Sequence, residues 1–286
     1  MTIFAVSHKK MTYLQSMKYI LIFFSMLGQL SIAGQKNCTQ DNNSFKAGEQ
    51  FNYKILYNWG AIWMEAGEAS FSVFLNNMNG KSVYHFVGIG STYSKYDWFY
   101  KVRDRYESYA DTATLKPLRF IREAKEGGSY TYDDYVFNHQ KNKVFTSSKR
   151  NKKPTKLDSL KITDCTNDVM TAIFYARGLD FSRYKPKDTI PITFVLDGEV
   201  VPSYIRYLGK ETIKSELLGN VRCIKFCPKL IEGTIFKGGE GMIVWVTDDD
   251  NKMPIYVETP IIVGTIKVHL FKYTGLKNPI NCIVPK

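Results

Sequence analysis

A segment that combines aromatic and basic side chains, residues 93–105, is the part of this sequence best suited to hold a ligand. Aromatic rings stack on sugar rings or line apolar cavities, and neighbouring cationic side chains hold anionic groups. The alternative is a tyrosine-rich sheet wall whose phenols reach water, a common position for amphipathic aromatic side chains. The candidate ligand-binding residues are Tyr93, Tyr96, Trp98, Tyr100, Arg103 and Arg105.

Paired carboxylates offer a second kind of chemistry, the cleavage of glycosidic bonds. Such a hydrolase needs two carboxyl groups about 5 to 9.5 Å apart across a cleft. The candidate pairs are Glu65 with Glu68, and Glu107 with an acid of the Asp248–Asp250 run. Because Glu65 and Glu68 are separated by an odd number of positions, a regular strand places them on opposite faces, which weakens that pair. A glycan-active enzyme is therefore only the third functional hypothesis.

Other catalytic and metal-binding patterns receive no support from the sequence. Neither Gly90-Ser91 nor Gly128-Ser129 lies in the Gly-x-Ser-x-Gly turn of a serine hydrolase. The histidines after residue 33, His85, His139 and His269, lie far apart and lack partners at metal-ligand spacing. No glycine-rich phosphate loop precedes a helix, so nucleotide binding is not expected.

The acidic run Asp248–Asn251 could supply oxygen ligands to calcium, but it lacks the spaced loop and distal glutamate of an EF-hand. A hairpin turn between two apolar runs explains it more simply, since Asp and Asn favour turns. The sequence therefore predicts no metal and no cofactor. It favours a protein without enzymatic activity.

The candidate residues must be positioned mainly by β-strands. The chain has 19 Tyr and 18 Phe, which favour half-buried pleated surfaces. Apolar and polar residues alternate along residues 51–59, 69–75 and 262–270, as expected for strands with one wet face. We predict an all-β fold with one short helix, in which a curved antiparallel sheet forms a closed or half-closed barrel or a sandwich.

The single predicted helix lies near residues 167–177. Asp164 or Thr166 would cap its start, and Gly178 would end it. One side of this helix would carry the apolar residues Val169, Ile173 and Ala176. We predict that the helix packs on the sheet.

The start of the chain is typical of a secretory signal peptide. Lysines precede a charge-free apolar run at residues 19–30, and Ser31-Ile32-Ala33 matches a cleavage site. We predict a signal peptide at residues 1–33, a flexible leader at 34–47 and one antiparallel β domain at 48–286. The expected location is the periplasm or the periplasmic face of the outer membrane.

The charge of the chain bears on its partners. The net charge is +12, and loss of the three lysines in residues 1–33 lowers it to +9. An exported basic protein is expected to meet an envelope lipid or glycan, or another envelope protein, and not nucleic acid. Peripheral association with a membrane is a further expectation.

Several segments together resemble an exported bacterial family known as domain of unknown function 3108. In the first half, the resemblance rests on Gly48-Glu49 with Tyr53, on Ala66-Gly67-Glu68-Ala69, and on Tyr106-Glu107-Ser108-Tyr109 with Leu115 and Pro117. In the second half, it rests on the run from Asp168 to Arg177, on Trp245-Val246-Thr247-Asp248-Asp249, on Lys252-Met253-Pro254 and on Val263-Gly264.

This resemblance covers roughly residues 48–270 and implies an exported envelope protein built mostly of antiparallel strands. It implies no activity. The resemblance marks Asp168, Tyr175, Arg177, Trp245, Asp248, Asp249 and Pro254 as a structural motif, in which Asp168 and Arg177 would pair or cap within the fold.

The leading functional hypothesis is a non-catalytic binding or carrier module that holds a lipid-like or glycan envelope component on the concave side of its sheet. Export, basicity and tyrosine-rich strands without catalytic groups favour it. The second hypothesis is a structural or assembly factor that binds another envelope protein.

Overall fold

Alternation of buried and exposed side chains builds most of the regular structure. The computed structural model describes residues 42–59, 62–232 and 237–285. Its strands are β1 (Gln50–Trp59), β2 (Ile62–Met78), β3 (Lys81–Thr92), β4 (Val102–Asp111), β5 (Pro117–Glu126), β6 (Ser129–Asn138), β7 (Lys143–Arg150), β8 (Lys156–Lys161), β9 (Thr166–Asn167), β10 (Thr189–Leu196), β11 (Glu199–Ser215), β12 (Gly219–Pro228), β13 (Leu230–Glu232), β14 (Lys237–Gly239), β15 (Ile243–Thr247), β16 (Pro254–Pro260) and β17 (Thr265–Thr274). The predicted signal peptide and most of the predicted leader lie outside the described residues.

One sheet contains 15 of these strands, in the order β8-β7-β6-β5-β4-β3-β2-β1-β17-β16-β15-β12-β11-β10-β9. Neighbouring strands are antiparallel, apart from the short parallel pairing of β9 with β10. β13 and β14 form a separate hairpin. The predicted all-β fold with a curved antiparallel sheet is confirmed. The sheet is half-closed, because β8 and β9 remain as its two edges among the described strands.

A ten-residue helix, α1 (Val169–Gly178), begins two residues later than predicted. Its cap is Asp168, not Asp164 or Thr166. The Asp168 carboxylate accepts a hydrogen bond from the Thr171 backbone N–H at 2.8 Å, and the Thr171 hydroxyl accepts one from the Asp168 N–H at 2.9 Å. This reciprocal pair is a capping box, which satisfies two backbone donors at the helix start.

The buried side of α1 also differs from the prediction. The helix buries Met170, Thr171, Phe174 and Arg177, whereas Ile173 is exposed. The position of the Asp168 cap explains which side of the helix is buried. The Ser108 hydroxyl on β4 donates to Asp168 at 2.6 Å, and this contact fixes the helix start against the sheet.

Helix α1 packs on the concave side of the sheet, where it contacts β3, β4 and β10. The ring of Phe174 stacks on Phe86 with centroids 3.8 Å apart. Gly88 gives Met170 room, since a Cβ at this glycine would lie 3.3 Å from the Met170 side chain. The surrounding aromatic and aliphatic core includes Phe45, Val73, Phe120, Tyr135, Val144 and Val195.

The predicted flexible leader is corrected for residues 42–47, which pack into this core. Phe45 is buried, and its ring contacts the rings of Tyr84, Phe86 and Phe174 edge-on. The Ser44 hydroxyl donates to the Arg177 carbonyl at 2.8 Å. The polar composition of this segment indicates an exposed leader, but its one aromatic residue, Phe45, is buried in the core.

The sheet has two ends, because each antiparallel strand reverses direction at a turn. At one end, here called the loop end, the connections β7–β8, β5–β6, β3–β4, β1–β2 and β16–β17 follow one another in sheet order. The opposite end carries the turns β6–β7, β2–β3 and β15–β16. Within the described ranges, no helix has the length and apolar character needed to cross a membrane.

Candidate functional site

The predicted aromatic segment forms the β3–β4 connection at the loop end. Residues Ser94–Tyr96 make one turn of 3-10 helix. The Tyr96 N–H donates to the Tyr93 carbonyl at 2.9 Å, and the Phe99 N–H donates to the Tyr96 carbonyl at 3.0 Å. Trp98 projects into solvent beside Phe99, with their ring centroids 5.9 Å apart. The connection is a hydrogen-bonded platform that presents aromatic rings.

Tyr93 is anchored to β2 by two carboxylates. Its hydroxyl donates to Glu65 at 2.6 Å and lies 2.9 Å from Glu68. Desolvation and these two acceptors raise the pKa of Tyr93. The expectation that Glu65 and Glu68 face opposite sides is wrong, because β2 contains a bulge: Ile55 pairs with Gly67 and Leu56 with Glu65, leaving Ala66 as an extra residue.

Two further aromatic residues of the segment lie on either side of Tyr93. The Lys95 ammonium lies 4.9 Å from the Tyr96 ring centroid, a cation–π contact. Tyr100 covers the β5–β6 turn so closely that a Cβ on Gly127 would be 2.2 Å from its ring. Desolvation, together with the charges of Glu126 and Asp104, raises the pKa of Tyr100.

The two predicted arginines bind acids of the protein itself. Arg103 donates to Asp97 at 2.8 Å and to the Thr92 carbonyl at 3.0 Å. Arg105 donates to Glu107 at 2.7 Å. The structure therefore brings the four predicted aromatic residues together, while Arg103 and Arg105 serve to hold the connection and the outer face of β4.

A carboxyl pair on the concave face escaped the sequence analysis. Val102 of β4 pairs with Glu126 of β5, and Asp104 pairs with Ala124, so the two acids are diagonal neighbours on one face. Burial and the adjacent Glu126, which shares a hydrogen bond with it, raise the pKa of Asp104 to about 7. With a pKa of about 7, the Asp104 carboxyl is partly protonated in neutral solution.

Next to this pair, charged side chains join β5, β6 and β7 to the β10–β11 turn. Arg122 and Arg150 donate to Asp133 at 2.7 and 2.8 Å, and both also bind Asp197 of that turn. Burial opposes ionisation of Asp133, but the hydrogen bond from Arg150 and the charge of Arg122 outweigh it and lower its pKa. This network ties the second half of the sheet to the first.

A shallow pocket of about 730 Å³ opens at the loop end between the β5–β6 and β7–β8 turns. The β7–β8 turn is fixed to β6, since the Asn151 N–H donates to the Tyr130 carbonyl at 2.8 Å and its side chain accepts from the Tyr130 N–H at 2.7 Å. We call this feature the loop-end pocket; it is lined by Gly128, Tyr130, Asn151, Lys152 and Lys153. Two lysines and one tyrosine among five lining residues are a composition that suits an anionic group.

The motif residues of the second half lie elsewhere and are bound internally. The Arg177 guanidinium is buried and donates to both oxygens of Glu49, at 2.5 and 3.0 Å. It also donates to the carbonyls of Ser44 and Asn251 at 2.9 Å each. Arg177 thereby connects α1 to the N-terminal segment and to the β15–β16 turn, while Tyr175 is half-buried beside the core under β10–β12.

The remaining motif residues organise the β15–β16 hairpin. Trp245 donates to Glu211 through its indole N–H and packs on Tyr256. Asp248 accepts from Arg222 and binds Lys210, both at 2.9 Å. The Thr247 hydroxyl donates to Asp249 at 2.7 Å within the turn, and Pro254 begins β16.

Comparison with known proteins gives a family and a fold. The family model described as "Protein of unknown function (DUF3108)" matches residues 52–270. A crystal structure described as a β-barrel-like protein of domain of unknown function DUF1849 from Brucella abortus is similar, with a TM-score of 0.52 and 10% sequence identity. The match covers 81% of this chain and 98% of that chain. No curated protein matches the sequence.

Proposed function

Since the chain belongs to the DUF3108 family, whose description assigns no activity, we propose its function from the site: a non-catalytic module that binds an anionic, lipid-like component of the cell envelope. The observation that carries this proposal is the loop-end pocket, where Lys152 and Lys153 lie in one cavity with Tyr130. Export to the periplasm, which the start of the sequence predicts, would bring the protein to such a ligand.

We place the ligand at the loop end instead of deep on the concave side. Helix α1 occupies part of that side, where Met170 and Phe174 pack against Gly88 and Phe86. At the loop end, the basic pocket lies close to the aromatic β3–β4 connection. An amphiphile with an anionic head and an apolar tail matches these two neighbouring surfaces.

The acid pair favours binding over hydrolysis. The carboxyl groups of Asp104 and Glu126 share a hydrogen bond. Hydrogen-bonded carboxyls are closer than the spacing of about 5 Å or more that glycosidases use to attack a sugar between them.

Isothermal titration with soluble short-chain lipids tests the proposal. We expect dihexanoylphosphatidylglycerol, used below its micelle concentration, to bind more tightly than dihexanoylphosphatidylcholine. The double variant Lys152→Glu/Lys153→Glu should weaken binding of the anionic lipid at least about tenfold, because it replaces two attractive charges by repulsive ones. Equal affinities for the two lipids would refute the proposal.

A matched control carries the same charge change at the opposite end. Lys141 and Lys143 are exposed in and beside the β6–β7 turn. Lys141→Glu/Lys143→Glu should change the affinity by less than about threefold, since exposed charges that far away are screened. An equal loss in both double variants, or tighter binding of an acidic oligosaccharide than of the anionic lipid, would contradict a lipid site in the pocket.

A further inference from the structure

The start of β2 and two connections at the loop end expose large apolar side chains. We call six of these residues the apolar rim; their exposed fractions are Ile62 68%, Trp63 39%, Trp98 79%, Phe99 53%, Ile262 55% and Val263 69%. Single exposed apolar residues are ordinary and occur elsewhere on this protein, but six that lie together at one end mark an interaction surface.

These three parts of the rim form one continuous surface. In the sheet, β3 borders β2, and β1 borders β17, so the start of β2 lies between the β3–β4 and β16–β17 connections. A Cβ on Gly264 would lie 2.5 Å from the Asn58 carbonyl, which places the β16–β17 turn directly against β1. On the other side, the Tyr93 N–H donates to the Ala66 carbonyl at 2.9 Å, which holds the β3–β4 connection against β2.

The rim is built to remain exposed. The Lys267 ammonium lies 4.3 Å from the centroid of the Trp63 ring and holds that ring in place. The Ile261 N–H donates to the Gly264 carbonyl at 3.1 Å and closes the turn that presents Ile262 and Val263. Because these loops are anchored by backbone hydrogen bonds, binding requires little further ordering of their backbone.

The charges around the rim select its occupant. The exposed side chains of Lys95 and Lys101 lie in the β3–β4 connection, beside the rim. Acids near the rim are engaged, since Glu65 binds Lys54 at 3.1 Å and Asp97 binds Arg103 at 2.8 Å. Tryptophan, phenylalanine and isoleucine beside exposed lysines are the composition of a surface that enters the boundary of an anionic bilayer.

We propose that the apolar rim inserts into the interface of a membrane that contains anionic lipids. The rim side chains enter the boundary between head groups and acyl chains, and the neighbouring lysines bind lipid phosphates. The loop-end pocket then faces the same head-group layer. This inference uses residues that do not line the pocket, and it stands or falls independently of the proposed ligand site.

Co-sedimentation of the purified protein with vesicles tests this surface. Vesicles of equal parts phosphatidylglycerol and phosphatidylcholine should bind the protein, and vesicles of phosphatidylcholine alone should bind it at least about tenfold more weakly. The variant Trp98→Ala/Phe99→Ala should lower the partition coefficient on anionic vesicles at least about tenfold, because most of the inserted aromatic area is lost.

The matched control removes apolar residues from the opposite end. Leu75 and Leu217 are exposed at the end of β2 and in the β11–β12 turn. Leu75→Ser/Leu217→Ser should leave vesicle binding unchanged within about twofold. Equal loss in the control, or vesicle binding that survives loss of Trp98 and Phe99, would overturn the proposal.

Two further measurements separate the membrane from other occupants. Brominated acyl chains should quench the fluorescence of the wild type more than that of Trp98→Phe, since Trp98 enters the bilayer. Sedimentation velocity should find a monomer, and a dimer that Trp98→Ala/Phe99→Ala dissociates would assign the rim to a second copy and overturn the proposal. The variant Ile262→Ser/Val263→Ser changes the part of the rim in the β16–β17 turn, which lies outside the proposed ligand site. It should weaken vesicle binding but keep the wild-type affinity for dihexanoylphosphatidylglycerol, so failure of the rim and failure of the pocket are distinguishable.

Discussion

Replacement of Arg177 by methionine is expected to lower the free energy of unfolding by about 3 to 5 kcal/mol, because it leaves a carboxylate buried without its counter-charge. Arg177 is 3% exposed and Glu49 is 2% exposed, so water cannot replace the lost guanidinium. Two hydrogen bonds, of 2.5 and 3.0 Å, join the two side chains. Their partners lie on α1 and on the segment before β1, far apart in sequence.

The double variant Arg177→Met/Glu49→Leu isolates the contribution of the pair. It removes both buried charges, but it leaves the Ser44 and Asn251 carbonyls without the donor that lies 2.9 Å from each. Each lost hydrogen bond costs about 1 kcal/mol, so the double variant should be about 1 to 3 kcal/mol less stable than wild type. Glu49→Leu alone should cost about as much as Arg177→Met, since it leaves a guanidinium buried without its counter-charge. The two single losses then exceed the loss in the double variant by a coupling energy of about 3 kcal/mol or more.

Urea unfolding followed by tryptophan fluorescence measures these free energies. Arg183 supplies the control, since it pairs with Asp180 at 2.8 Å on the surface. Arg183→Met should cost less than about 1 kcal/mol, as exposed pairs do. A loss below about 1 kcal/mol in Arg177→Met, or single losses that simply add in the double variant, would refute the assignment of Arg177 as a buried connector.

Three other outcomes are expected. Burial raises the pKa of Asp168 to about 6 from 3.8, so the folded state holds the carboxyl proton more tightly than the unfolded state does. The free energy of unfolding of the wild type, relative to that of Asp168→Asn, should therefore fall by about 3 kcal/mol as the pH rises from about 4 to 6. A difference that stays constant over this range would contradict the raised pKa. In carbon-13 NMR, the Asp104 carboxyl should titrate near pH 7, and Glu126→Gln should lower that pKa because Glu126 raises it through its charge and its hydrogen bond. An unchanged midpoint in the variant would contradict this contribution of Glu126. Burial raises the pKa of the Cys223 and Cys282 thiols to about 12. At pH 8, iodoacetamide should therefore label both cysteines only after the protein is unfolded in urea. Equal labelling of the folded protein would contradict their burial.

The strands were predictable because their information is local. Side chains alternate between faces with a period of two, and that pattern is visible in residues 51–59 and 262–270. The sheet order was not predictable, because β1 pairs with β17 more than 200 residues later. The buried side of α1 was mispredicted for the same reason: its orientation depends on Ser108, which lies 60 residues before the Asp168 cap.

Parts of the candidate site were also within reach of the sequence. The aromatic segment 93–100 could be found from the sequence because its residues are neighbours along the chain, and it forms the β3–β4 connection; its role in binding stays a prediction. The acid pair Asp104–Glu126 was missed because it requires the register of the β4–β5 hairpin. The bulge at Ala66 was equally invisible, and it reverses the expected orientation of Glu65 relative to Glu68.

The structural motif marked by the family resemblance, which includes Asp168, Arg177 and Asp248, and the residues that line the loop-end pocket occupy different parts of the molecule. Asp168, Arg177 and Asp248 each bind groups of the protein itself, so a ligand could reach their charges only by breaking the contacts that hold the helix and the β15–β16 hairpin. At the loop end, the lysines of the β7–β8 turn and the apolar rim are exposed, so they can bind a partner without breaking the contacts that hold the helix and this hairpin. The motif therefore accounts for the stability of the fold, and the connections at the loop end are where differences in ligand or membrane binding should arise.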